Sequence, residues 1–205
     1  DNKILFTIGY SNIKGAAQDI NSLLGKIISI DKTTKQFEII SMGHRNPQGL
    51  VYIKESDIII NTEHGPKGGD EINFNFQNTN QIPNFGWDIS SYGTEYDGTD
   101  PYKKSHKDYG FIEPFKYYVP SIGISQLIYM SNEFNSENKK YLYISSLRAT
   151  SIYTININEK FNKIINEDKI YFSQRRIRDI EYDYENNVFL IIFEHIPSLG
   201  VLKLN

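Results

Sequence analysis

Two polar clusters in the first half of the chain carry the groups that could do chemistry. The first runs Gly43-His44-Arg45-Asn46-Pro47-Gln48-Gly49-Leu50, and the second runs from Glu63 to Asn73. Their glycines allow the backbone to turn carbonyl oxygens outward, and carbonyl oxygens are suitable ligands for a hard cation. Because only two short strand-like runs separate the clusters, the sequence predicts a functional site here.

Two features of these clusters suggest acid-base chemistry, but neither is specific. Asp70 and Glu71 are adjacent carboxyl groups. Adjacent residues of a strand point to opposite faces of the sheet, which disfavours a proton shared between them. His44 is a base by residue type.

The composition defines the broad class of protein. The chain has 205 residues, of which 39% are hydrophobic and 23% charged, so it can form one sizeable core. A net charge of -3 argues against nucleic acid as the main partner. The absence of cysteine excludes disulfides and thiolate metal sites. No apolar run approaches the roughly 20 residues that a membrane span requires.

The elements that must position the clusters are short runs of β-branched and aromatic residues between turn residues, which predict an all-β fold. A brief helical turn from Asp19 to Gly25 is the one exception. The pattern alone leaves a sandwich, a barrel or a propeller open. The predicted strands are Lys3 to Ile8, Lys26 to Ile30, Phe37 to Met42, Leu50 to Ile53, Asp57 to Asn61, Ile72 to Phe76, Gln126 to Met130, Tyr141 to Ser145, Ser151 to Ile157, Lys169 to Phe172, Ile177 to Tyr184, Val188 to Phe193 and Val201 to Leu204.

A long irregular segment from Gln77 to Pro120 interrupts the strands and is rich in glycine, proline, asparagine and tyrosine. Ordered loops of this length usually carry function or cover a site. Phe85-Gly86-Trp87 and Tyr92-Gly93-Thr94-Glu95-Tyr96 place aromatic rings beside glycines. Such rings suit packing over a cavity or stacking on a planar ligand.

The two clusters form part of an ordered set of motifs, which resembles the glucose/sorbosone dehydrogenase family. The other members of the set are Phe85-Gly86-Trp87, Pro120-Ser121, Leu147-Arg148 and Arg176-Ile177-Arg178-Asp179. The enzymes of that family are soluble aldose dehydrogenases that use pyrroloquinoline quinone (PQQ). The resemblance implies a six-bladed β-propeller, of which about thirteen strands would form about three to four blades. We therefore expect one partial propeller domain over residues 1–205, with N-terminal blades missing.

The resemblance also implies which residues bind the cofactor. Arg45 and Asn46 would contact the quinone, and Arg45 would be the catalytic residue of this chain. Its guanidinium would stabilise the negative charge that hydride transfer leaves on a carbonyl oxygen of the quinone. Tyr96 would contact or cover the cofactor. Three arginines would pair with the carboxylates of PQQ, and two of them share a face because they lie two residues apart on a strand. These are Arg148, Arg176 and Arg178.

Calcium is the second implied cofactor. The backbone carbonyls of Gly65 and Pro66 resemble those that hold the Ca²⁺ of the PQQ site. Glu71 and the backbone carbonyl of Phe85 resemble the ligands of a second, structural Ca²⁺, although the spacing between them is a few residues longer than usual. The base histidine of the family would lie upstream of this chain, so His44 is interpreted as a structural residue.

The function implied by the resemblance is oxidation of an aldose sugar at C1 to the lactone. Hydride would pass to PQQ, and electrons would leave to an external acceptor such as a quinone or a redox protein. The resemblance also implies a periplasmic or secreted location. Two alternatives remain open: a non-catalytic extracellular propeller that binds a protein or ligand, and an inactive fragment of the enzyme.

Overall fold

The computed structural model describes residues 2–77, 81–131 and 140–203. They fall into two compact units, Asp1–Ser121 and Ile122–Asn205. In the first unit the strands are β1 Lys3–Ile8, β2 Lys26–Asp31, β3 Phe37–Met42, β4 Pro47–Ile53, β5 Ile58–Glu63, β6 Asp70–Phe76 and β7 Lys116–Tyr118, with a short 3-10 helix at His106–Tyr109. In the second unit they are β8 Ile124–Met130, β9 Lys140–Ser146, β10 Ser151–Ile157, β11 Ile164–Tyr171, β12 Ile177–Asp183, β13 Val188–Phe193 and β14 Ser198–Leu202.

The first unit contains two antiparallel sheets, in the orders β1-β2-β3 and β4-β5-β6-β7. Every residue of β5 is buried, as is every residue of β6 except Phe76. A strand that is buried on both faces reads as a continuous apolar run, which explains the sequence Ile58-Ile59-Ile60. The polar ends of β5 and β6 are buried as well, and they carry the second cluster.

The second unit also contains two antiparallel sheets, in the orders β8-β9-β10-β11 and β12-β13-β14. Its core is a cluster of buried apolar side chains from β8, β9, β10, β12 and β13. Tyr143 packs on Phe189 with ring centroids 4.7 Å apart, and burial raises the pKa of the Tyr143 hydroxyl to about 12. The core thus depends on large aromatic side chains that join the strands of its two sheets.

The all-β prediction is confirmed, and each predicted run coincides with a strand. Four antiparallel sheets agree with the expected three to four blades. The last run extended to Leu204, which lies outside the described residues. The prediction of a single domain stays a prediction, because compact units of this size can belong to one domain. No helix in the described ranges is long and apolar enough to cross a membrane.

Two details of the predicted elements are wrong. The segment from Asp19 to Gly25 forms turns without a helix, because the Asp19 carboxylate accepts the backbone N–H of Asn21 at 2.9 Å and closes a local turn. The three-residue strand β7 was not predicted, since it is too short to show an alternating pattern. It pairs with Asp70–Ile72 at the start of β6.

Lys26 fixes the turns that precede β2. Its side chain is fully buried, and Nζ donates to the backbone carbonyls of Ala16, Ala17 and Leu24 at 2.9 to 3.0 Å. Desolvation by burial lowers the pKa of this amino group. All three of its N–H donors are used, so the lysine holds together the turns that lead from β1 into β2.

We expect Lys26→Met to lower the free energy of unfolding by about 2–4 kcal/mol, because the methionine keeps the volume but removes three buried hydrogen bonds. Urea unfolding followed by circular dichroism measures this change. Lys54→Met, at an exposed turn position, is the matched control and should change the free energy by less than about 0.5 kcal/mol. An equal effect of the two substitutions would contradict the structural role of Lys26.

Candidate functional site

Two glycines allow distant segments to approach the first cluster closely. Gly43 has a φ of 74°, and a Cβ atom there would lie 2.2 Å from the Asn84 Oδ1 atom and 2.6 Å from the backbone nitrogen of Gly86. Gly25 has a φ of 68°, and its Cβ would lie 2.6 Å from the His44 carbonyl oxygen. A side chain at either position would therefore separate the segments, so the glycines are required for the site to assemble.

His44 lies at the centre of a buried hydrogen-bonded chain. Its Nδ1 atom is 2.8 Å from Glu63 Oε2, and its Nε2 atom is 2.8 Å from Ser41 Oγ. The carboxylate accepts from Nδ1–H, and Nε2 shares a hydrogen bond with the serine hydroxyl. All three side chains are buried, and the imidazole stacks on Phe85 at 4.9 Å. The arrangement agrees with the interpretation of His44 as a structural residue.

Arg45 follows directly and is held by several contacts. Its Nη1 atom donates to the His64 carbonyl at 3.2 Å, and its guanidinium lies 5.3 Å from the Trp87 ring centroid and 5.8 Å from that of Tyr10. Its backbone nitrogen lies 3.5 Å from Glu63 Oε1. Two aromatic faces and the His64 carbonyl thus restrict the guanidinium to one region, and Glu63 holds the backbone of the same residue.

Two cavities meet at Arg45. One has a volume of about 340 Å³ and is lined by residues 9–12 together with Arg45 and Asn46. The other has a volume of about 10 Å³, close to the volume that one water molecule needs. It is lined by Arg45, Glu63, His64, Gly65, Gly69, Glu71, Phe85, Trp87, Ser90, Ser91 and His106. The structure therefore brings both polar clusters and the Phe85-Gly86-Trp87 motif to one place.

The turn at Gly65 and Pro66 is tightly built and buried. The Gly65 backbone nitrogen donates to Asp70 Oδ1 at 3.2 Å, and a Cβ atom on Gly65 would lie 2.2 Å from the carbonyl oxygen of Gly68. Several carbonyl groups therefore crowd at this turn, which is the kind of donor set that Ca²⁺ accepts. Within the described ranges, no three His, Cys, Asp or Glu side chains are grouped to hold a metal. A calcium ion here would depend on backbone oxygens.

Glu71 and Phe85 both contact His106. The His106 Nδ1 atom lies 3.0 Å from the Phe85 carbonyl oxygen, and its Nε2 atom lies 3.5 Å from Glu71 Oε1. The other oxygen of Glu71 accepts from Asn73 Nδ2 at 3.2 Å. Burial, followed by the nearby Glu63 carboxylate, raises the pKa of the Glu71 carboxyl group well above its usual range. The His106 ring thus lies between the two groups that are predicted to bind a second calcium, bonding the Phe85 carbonyl and lying within ion-pair distance of Glu71.

Tyr96 lies away from these groups. Its side chain is 72% exposed, and it lines neither cavity at Arg45. The role of Tyr96 at the cofactor stays a prediction.

The second unit carries the three remaining arginines. Arg148 is exposed and lies two residues after the end of β9, where Gly123 with a φ of 63° allows the two backbones to approach. Arg176 Nε and Arg178 Nη2 bond the two oxygens of Glu194 at 2.9 and 2.7 Å. The two guanidiniums lower the pKa of the Glu194 carboxyl group. Arg176 and Arg178 therefore share a face, as their spacing predicts, and they already hold one carboxylate together.

Several site residues were missed from sequence because their partners are far along the chain. Ser41 and Glu63 are recognised only through His44, and His106 only through its contacts with Glu71 and Phe85. The one available signal for His106 was a histidine inside the long irregular segment. Residues 9–12, which line the larger cavity at Arg45, showed only turn residues in the sequence and no sign of a functional role.

We expect Ser41→Ala to lower the free energy of unfolding by about 1–2 kcal/mol, because the buried Nε2 atom of His44 loses its hydrogen bond. The matched control is Ser29→Ala on β2. Ser29 is equally buried, but its hydroxyl bonds no described residue, so its removal should cost less than about 0.5 kcal/mol. Chemical denaturation of the two variants measures the difference. A control as unstable as Ser41→Ala would show that the serine hydroxyl contributes nothing through His44.

Comparison with known proteins identifies relatives of this chain. Residues 1–196 match the model of the family described as Glucose / Sorbosone dehydrogenase. Aldose sugar dehydrogenase YliI of Escherichia coli (strain K12) is 26% identical over 211 aligned residues, which cover 96% of this chain and 55% of that protein. The chain spans about half the length of the curated relatives it matches.

Solved structures of the same kind match as well. The apo-form of the soluble aldose sugar dehydrogenase from Escherichia coli gives a TM-score of 0.81 at 25% identity, covering 98% of this chain and 60% of that chain. The PQQ-bound form of the aldose sugar dehydrogenase from Streptomyces coelicolor gives a TM-score of 0.69 at 17% identity over 98% of this chain and 57% of its own, which shows the fold alone. These matches confirm the predicted β-propeller fold class. Since the family model matches residues 1–196, the chain belongs to the glucose/sorbosone dehydrogenase family.

Proposed function

We propose that this chain is part of an enzyme that oxidises aldose sugars at C1 with PQQ and Ca²⁺. The observation that carries the proposal is Arg45, whose guanidinium is restricted by Trp87 and Tyr10 beside a polar pocket of about 340 Å³. A guanidinium fixed before the reaction stabilises developing negative charge without the cost of reorganising water. Asn46 lines the same pocket and offers an amide for hydrogen bonds.

The residues of this chain have separate roles in the proposed reaction. When bound, PQQ would accept a hydride, and Ca²⁺ would polarise its carbonyl as a Lewis acid. Arg45 orients the acceptor through directed N–H donors, and Ser41, His44 and Glu63 hold the Arg45 backbone in place. The Gly65 and Pro66 carbonyls are the candidate calcium ligands. They fit this role because, in the described part of the chain, no protein donor bonds either of these buried carbonyl oxygens.

In the second unit, Arg148, Arg176 and Arg178 are proposed to bind carboxylates of the cofactor. The support is that Arg176 and Arg178 hold the Glu194 carboxylate in a bidentate manner, which is the geometry that a carboxylate of the cofactor would need. The sugar, the external electron acceptor and the periplasmic or secreted location are proposed from the family. The name of the relative from Escherichia coli, a soluble aldose sugar dehydrogenase, supports the substrate class.

We expect Arg45→Ala in the full-length protein to lower kcat/KM for PQQ-dependent dye reduction with an aldose by about 100-fold or more, because charge stabilisation at the acceptor is lost. Arg175→Ala is the matched control, since Arg175 is exposed and bonds Ser198 Oγ at 2.8 Å. Its activity should remain within about twofold of the wild type. Absence of PQQ-dependent activity in the calcium-loaded wild type would refute the proposed function, and the non-catalytic binding alternative would then be favoured.

We expect Arg176→Ala and Arg178→Ala each to weaken PQQ binding by about tenfold, because each removes a charge-assisted contact to a carboxylate. Calorimetric titration of PQQ into the calcium-loaded protein measures the affinity. Arg175→Ala again serves as the control and should bind PQQ as the wild type does. Unchanged affinity in both variants would remove these arginines from the cofactor site while leaving the proposal for Arg45 intact.

A further inference from the structure

His106 is held in a defined position deep in the first unit. It begins the 3-10 helix His106–Tyr109, its side chain is 1% exposed, and its ring stacks on Tyr92 at 5.4 Å with an interplanar angle of 9°. The Tyr92 hydroxyl donates to the Glu113 carboxylate, which fixes the stacking ring. An imidazole buried in this way takes its orientation from the surrounding residues and not from solvent.

The contacts of the imidazole determine where its protons lie. A carbonyl oxygen only accepts hydrogen bonds, so Nδ1 carries a proton and donates it to Phe85. Nε2 then faces Glu71 Oε1 at 3.5 Å. That separation is within ion-pair distance, but Nε2 makes no hydrogen bond in the described part of the chain. The imidazole therefore lies between the Glu71 carboxyl group and the Phe85 carbonyl, and it bonds the carbonyl alone.

The register of the sheet explains why such a partner is needed. Glu63 on β5 and Glu71 on β6 are directly opposite each other, and both are buried. Like charges in opposite positions destabilise a sheet, and a buried carboxylate requires a positive or hydrogen-donating partner. His44 provides that partner for Glu63, and Asn73 provides it for Glu71. His106 lies within ion-pair distance of the other Glu71 oxygen.

The remaining space at Glu71 does not suit a metal ion. The cavity of about 10 Å³ is lined by the carboxyl groups of Glu63 and Glu71, but also by Arg45, Trp87 and His106. The buried Arg45 Nε and Trp87 Nε1 atoms have no acceptor among the described residues. Both are N–H donors without a lone pair to give, so they favour an occupant that accepts hydrogen bonds. A cation would meet these donors together with a carbonyl that His106 already uses.

We propose that His106 replaces the second, structural calcium of the family in this chain, bridging Glu71 and the Phe85 carbonyl without a metal. The residues present do not fit a calcium ion between these two groups, because the ion would have to displace the imidazole from both. Any calcium at Gly65 and Pro66 is a separate matter, since that proposal uses neither the Glu71 carboxylate nor the Phe85 carbonyl.

The first test is the calcium content of Glu71→Gln in the full-length protein. The glutamine amide can donate to His106 Nε2, so the bridge survives. After removal of metal with a chelator, calorimetric titration with CaCl₂ should give the same stoichiometry as the wild type and a Kd within about twofold. Glu55→Gln, at an exposed turn, controls for the loss of one negative charge. Loss of one bound calcium in Glu71→Gln alone would overturn the proposal.

The second test needs no substitution and applies if Glu71→Gln does not fold. Long-range ¹H–¹⁵N correlation spectra of the wild type report the protonation of each imidazole nitrogen. We expect His106 Nδ1 to be protonated and its signals to stay unchanged on addition of excess CaCl₂. A calcium ion between Glu71 and the Phe85 carbonyl would break the Nδ1–H hydrogen bond, and the shift in these signals would refute the proposal. A wild type that binds no calcium at all would support it and would count only against the calcium of the proposed function.

Discussion

The constraint on which the first unit depends is the burial of Glu63 and Glu71 opposite each other on β5 and β6. Their desolvation is costly, and their proximity adds repulsion, which is why the pKa of Glu71 is raised. Each glutamate is matched by a buried histidine, His44 or His106. The histidines come from loops, so the sheet can bury these carboxyl groups only when the loops are in place.

Through this constraint, the core of the sheet fixes the position of the candidate reactive residue. Glu63 contacts the His44 side chain with one oxygen and lies 3.5 Å from the Arg45 backbone nitrogen with the other. The turn that presents Arg45 is therefore attached to the end of a fully buried strand. A site built on rigid strands holds its geometry more precisely than a site on loops alone, which is the condition for electrostatic catalysis.

The sequence predicted those parts of the molecule that depend on local pattern. Runs of β-branched residues predicted the strands. The spacing of Arg176 and Arg178 predicted their common face. The helical turn at Asp19 failed because a side-chain hydrogen bond to Asn21 competes with helix formation.

What the sequence could not predict are pairings between residues far apart in the chain. Nothing local indicates that Glu63 faces Glu71, or that a histidine 35 positions after Glu71 approaches its carboxyl group. Glu71 and the Phe85 carbonyl, which the motif suggests as calcium ligands, lie on either side of His106, and a motif cannot reveal such a third residue between them. A carboxyl group and a carbonyl need a positive or proton-donating group to join them, and an imidazole meets that requirement with two directed nitrogens at fixed separation. A sequence motif of metal ligands therefore indicates that some group must join them. Only the three-dimensional structure shows whether that group is a metal ion or a side chain.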